Sequence, residues 1–70
     1  MPPAESALAQ AERHVREGEE RVAHQKTILT ELIRDKQDVA AEKARTVLMT
    51  LETTLELARE HLRLEQEAPR

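Results

Sequence analysis

The chain contains no phenylalanine, tyrosine, tryptophan or cysteine. Without aromatic rings it lacks the side chains that supply the largest packets of buried area. Without cysteine no disulfide can staple it, a composition that fits a reducing compartment. Glycine occurs once, at Gly18, and the three prolines, Pro2, Pro3 and Pro69, lie at the ends. The interior therefore holds almost nothing that breaks a helix, and no glycine-rich loop to cradle a phosphate. No apolar run approaches the ~20 residues that a transmembrane helix needs. No basic start followed by an apolar stretch opens the chain, so no signal peptide is expected and the expected location is cytoplasmic. An excess of one charge is also missing: 14 acidic and 11 basic residues leave a net charge of −3. So mixed a balance exerts no pull on nucleic acid or an anionic membrane.

What remains is the alphabet of long helices. Alanine, leucine, glutamate, arginine, glutamine and lysine dominate the 70 residues, and all are strong helix formers. Their apolar members are periodic. Leu8, Val15, Val22 and Leu29 recur every seven residues, and Ala4, Ala11, Gly18, Gln25 and Leu32 recur every seven between them. In the second half Ala41, Leu48, Leu55 and Leu62 alternate in the same way with Ala44, Leu51, Ala58 and Glu65. A strict heptad keeps one seam turned toward a partner helix. Between the two patterns lies Arg34-Asp35-Lys36-Gln37-Asp38, charged or amide throughout. The spacing predicts a helix over 4–34, starting just after Pro2-Pro3, a turn at 35–38, and a helix over 39–66 with Asp38 as its N-cap. So short a connection makes the helices antiparallel neighbours. The expected fold is an all-α two-helix hairpin forming one domain.

Folding at that turn sets Leu32 near Ala41, Val22 near Leu51, Gly18 near Leu55, Val15 near Ala58 and Ala11 near Leu62, small residues often facing large ones. Gly18 reads as the close approach of Leu55. Gln25 is polar at a seam position. Its long side chain is expected to reach solvent, the alternative being a buried amide that fixes register.

The second helix carries a further stripe: Val47, Thr50, Thr54, Leu57, His61 and Leu64, spaced alternately three and four apart. It lies about 110° around the helix from the first seam. Two seams on one helix suit a four-helix bundle. The matching faces of the first helix are charged, with Glu12, Glu17, Arg21, Lys26 and Glu31. Chains this small and poor in aromatics seldom fold alone. The expectation is therefore a homodimer with the second helices central, Val47, Leu57, His61 and Leu64 at its interface. Leu8, Val15, Val22, Leu29, Leu32, Leu48, Leu51, Leu55 and Leu62 form the hairpin seam.

Little chemistry is visible. The only serine, Ser6, sits near one end, and a hairpin is not expected to hold a pocket of enzymatic size. No catalytic residue, cofactor or metal ligand is assigned, and the chain is read as a non-enzyme. Glu12–Arg16, Arg13–Glu17, Arg16–Glu20 and Glu17–Arg21 are four apart and should form solvated ion-pair ladders. Glu20–His24 and His61–Glu65 share that spacing, and His14 and His61 fall at one level beside the seam. A bundle could gather such histidines around a metal, but the Glu-x-x-His motif of di-iron bundles is missing. His24 points away. Dimers of antiparallel hairpins can also bind RNA, yet Arg13, Arg16 and Lys26 stand among Glu12, Glu17, Glu19 and Glu20, and no aromatic can stack on a base. The leading reading is a small interaction or regulatory module that binds itself, and a further helical protein, through helix faces.

The run Ala11-Glu12-Arg13-His14-Val15-Arg16-Glu17-Gly18-Glu19-Glu20-Arg21-Val22, together with Leu55-Glu56-Leu57-Ala58-Arg59-Glu60-His61-Leu62, resembles short uncharacterised helical-hairpin proteins of alphaproteobacteria. The resemblance covers most of both helices and implies a bacterial cytoplasmic hairpin, with no activity attached. Those proteins commonly carry a Gly-His-Asp-Thr-like turn, where this chain has Lys36-Gln37-Asp38-Val39.

Overall fold

The computed structural model describes residues 4–69. It contains two helices, α1 (Ala7–Arg34) and α2 (Asp38–Glu67), packed along their lengths as an antiparallel hairpin. At ~1.5 Å per residue each is about 42–45 Å long.

The helix ends differ from the expected ones. The Pro2-Pro3 start lies outside the described residues. α1 begins at Ala7, because the Ser6 hydroxyl accepts from the Ala9 N–H at 3.0 Å and satisfies one of the free donors of the first turn. At the other end Asp35 is the C-cap, and Lys36 follows in the left-handed region with φ 56°. The Gln37 N–H donates to Leu32 O at 2.9 Å and the Lys36 N–H to Ile33 O at 3.1 Å. This is the Schellman pair, normally closed by glycine and here closed by lysine. It carries the chain directly into α2, where the Ala41 N–H already donates to Gln37 O at 2.8 Å. Gln37 is therefore the N-cap, with no side-chain cap bond, and Asp38 is the first helical residue. The assignment of Asp38 as N-cap is corrected accordingly. Its carboxylate still lies where the helix dipole favours negative charge. α2 stops at Glu67, since Pro69 forces Ala68 into an extended conformation with ψ 140°.

The core is thin and rich in alanine. Ala11, Val22, Ala41, Ala44 and Leu55 are buried. Leu8, Val15, Leu29, Leu32, Leu48, Leu51, Ala58 and Leu62 are half-buried, so every heptad position from Leu8 to Glu65 is at least partly covered. Two contacts fix the register. A Cβ added at Gly18 would stand 3.0 Å from Leu55 Cδ1, so glycine is what lets α2 come so close. Gln25 donates from Nε2 to Ala44 O at 3.1 Å, across the seam and part-buried. The expectation that Gln25 reaches solvent is thus replaced by the register-fixing alternative.

Candidate interaction groove

Beside the Gly18–Leu55 contact the helices leave a groove on one side of the seam. Its volume is about 390 Å³. α1 contributes His14, Gly18 and Arg21, and α2 contributes Thr54, Leu55, Leu57, Ala58 and His61. It is an open groove on the surface and not an enclosed cavity of the kind that buries a small ligand. Two imidazoles, a guanidinium and a threonine hydroxyl stand around an aliphatic floor. Such a set offers hydrogen-bond donors and apolar contact, with no serine or cysteine nucleophile among the lining residues.

The groove opens onto the second stripe of α2. Leu57 is 67% exposed, Leu64 52% and Val47 47%, whereas Leu55 on the seam is 5% exposed. The stripe holds no carboxylate, lysine or arginine. The hydroxyls of Thr46 and Thr50 donate back to Glu42 O and Thr46 O at 3.3 and 3.2 Å, so their polar groups are satisfied within the helix. On the stripe, the Thr50 hydroxyl satisfied in this way can be covered at little desolvation cost.

The ion pairs lie elsewhere. Arg59 and Glu19 approach to 4.0 Å between the helices, and neither lines the groove. Arg13 reaches Glu5 at 3.0 Å and Glu17 at 2.9 Å. The Arg13 hydrogen bond holds the Glu5 carboxyl below its ordinary value. Arg63 bonds Glu60 and also Glu67, the latter at 3.0 Å, and its hydrogen bond lowers the Glu60 pKa. Of the four ladders expected on α1, only Arg13–Glu17 forms. Arg21 makes no ion pair among the described residues, since Glu17 is turned to Arg13. That leaves the Arg21 guanidinium at the groove rim, outside the ladder expected of it.

His14 and His61 do meet at one groove, and His61 Nε2 lies 3.4 Å from Glu65 Oε1. His24 is exposed on another face. Among the described residues no group of three or more histidine, aspartate or glutamate side chains gathers as a metal site would require. Neither helix is long and apolar enough to cross a membrane.

Compared with known proteins, the chain matches no family model, no curated protein and no solved structure.

Proposed function

We propose that this protein is a non-enzymatic helical interaction module that works as a homodimer, two hairpins joined through the α2 stripe into a four-helix bundle. The observation that carries this reading is the uncharged stripe from Val47 to Leu64, with three large aliphatic residues about half or more exposed, in a chain whose residues are 36% charged. Its 17 steps span about 26 Å, long enough to seat another helix over several turns. Burying apolar area there is the driving force, and the thin alanine-rich seam gives the hairpin reason to need it. The dimer's outer faces are then available to a further helical protein in the cytoplasm.

Cysteine scanning tests this, because the chain has no native thiol. Thr54→Cys, on the stripe, should be joined into a dimer by a short bifunctional maleimide at low micromolar protein, a reagent long enough to span an offset that a direct disulfide cannot. Arg16→Cys, on the charged face of α1, should not. Equal, slow cross-linking at both positions would overturn the proposal.

A further inference from the structure

The groove has two unlike ends. The helices run antiparallel and Gly18 meets Leu55, so Arg21 falls at the Thr54 end and His14 at the His61 end. At the first end two donors are unengaged among the described residues. The Arg21 guanidinium has no ion pair, because Glu17 is turned to Arg13. The Thr54 hydroxyl makes no hydrogen bond, whereas those of Thr46 and Thr50 turn back onto their own helix. Glu52 is level with Arg21 but stands about 200° around α2 from Thr54, outside the groove. At the second end Glu65 approaches His61 Nε2 at 3.4 Å. His14 has no such neighbour, and an imidazole carries an N–H donor in either protonation state.

Both ends therefore offer donors, and no carboxylate lines the groove. The complement is a carboxylate at each end. His14 and Arg21 are seven residues apart on one helix, about 10.5 Å. A helix packed along α1 meets two such positions with two of its own residues seven apart. The residue between them, three or four positions along, comes over Gly18 and beside the exposed flank of Leu57. The groove also runs on along the stripe, toward Val47 one way and Leu64 the other, both about half exposed. That length suits a helix. A second copy does not supply the charges: a two-fold axis at the centre of the groove, near Leu57 and Ala58, sets Leu62 or Arg63 level with Arg21. The chain's net charge of −3 works against a uniformly acidic segment, so the carboxylates belong at those two positions and not throughout.

We infer that the groove is the docking site for one amphipathic helix of a different protein. Two carboxylates of that helix, a heptad apart, pair with Arg21 and His14, and an aliphatic residue between them covers Gly18. This goes beyond the homodimer reading and does not rest on it. Thr54, Leu57 and His61 belong to groove and stripe alike, so the docked helix takes the place of the second copy.

The probe is a fluorescein-labelled synthetic helix of about three heptads, with glutamate once per heptad, leucine three residues after it, and lysine, glutamine and alanine on the far face. Fluorescence anisotropy at low salt should show saturable binding to the wild-type chain, in a complex with the mass of one chain and one peptide. Arg21→Glu should weaken binding roughly tenfold or more, and a peptide with lysine at the glutamate positions should prefer Arg21→Glu to wild type. Arg16→Glu, on the outer face of α1, makes the same change in net charge and should shift binding by less than about threefold. Ellipticity at 222 nm shows that each variant remains helical. The inference is overturned by no binding at about 100 μM wild-type chain. Equal weakening by Arg21→Glu and Arg16→Glu, or peptide bound to an intact dimer, overturns it as well. In each case the homodimer reading stands or falls on the mass of the chain alone. A wild-type monomer that binds the peptide with this charge dependence overturns the homodimer reading and leaves the docking site in place.

Discussion

Leu57→Ala separates the two roles of α2 leucines. In the hairpin Leu57 is 67% exposed, so its removal should cost the isolated hairpin little. In the dimer it lies at the interface. Fully burying a leucine contributes about 1.5–3 kcal/mol, and two-thirds of that remains to be gained on assembly, about 1–2 kcal/mol. The two-fold doubles it to about 2–4 kcal/mol, which raises the dissociation constant by roughly 30- to 700-fold. A light-scattering dilution series at fixed salt reads that change directly. Leu57→Ala should retain the helical signal at high concentration, where mass action restores the dimer. A dissociation constant unchanged within a factor of three would refute the reasoning, since it would mean that Leu57 is as exposed in the assembly as in the hairpin.

Three further outcomes follow from the geometry. Lys36→Gly should stabilise the fold by up to about 1 kcal/mol relative to Lys36→Ala, because a left-handed residue with a Cβ costs about 1–2 kcal/mol and the entropy of glycine in the unfolded chain returns part of it. Thermal melts at equal concentration should show the glycine variant higher by a few degrees. Leu55→Asp should abolish folding, since it buries an unpaired carboxylate against Gly18, and a wild-type circular dichroism spectrum would show the seam to be misplaced. In acid, Glu5 and Glu60 should act together. Both have folded pKa values held below the ordinary one by hydrogen bonds from Arg13 and Arg63 respectively. Their contribution is present above the ordinary carboxylate pKa and is lost as pH falls through the lowered one. Helicity should be flat from pH 7 to about 5 and decline below about 4. High salt should blunt the decline, because both pairs are exposed.

Most of the fold was legible because it is periodic. The two heptads contain no interruption, so helix type, hairpin topology and the Gly18–Leu55 register all follow from one repeat. The departures lie where a single local hydrogen bond outweighs the pattern. Ser6 caps α1 three residues later than the proline pair suggests, because its hydroxyl reaches the Ala9 N–H. The turn was obscure because its left-handed position holds Lys36 rather than glycine, and the Schellman bonds around it moved the N-cap from Asp38 to Gln37. Gln25 is long enough to reach water, and the Ala44 carbonyl beside it decides the other way. The groove was the least legible feature. Helical spacing placed His14 and His61 level with each other, but it does not show the hollow between them. The freedom of Arg21 depends on which way Glu17 turns, and spacing of four residues is silent on that choice.

The central claim is that the uncharged face of α2 is an interface between two copies. Absolute mass in solution tests it most directly, by light scattering with refractive-index detection, since a chain without tryptophan or tyrosine barely absorbs at 280 nm. The account expects twice the 8.0 kDa chain mass, about 16 kDa, held across a tenfold dilution. A well-folded helical monomer at every concentration would contradict it.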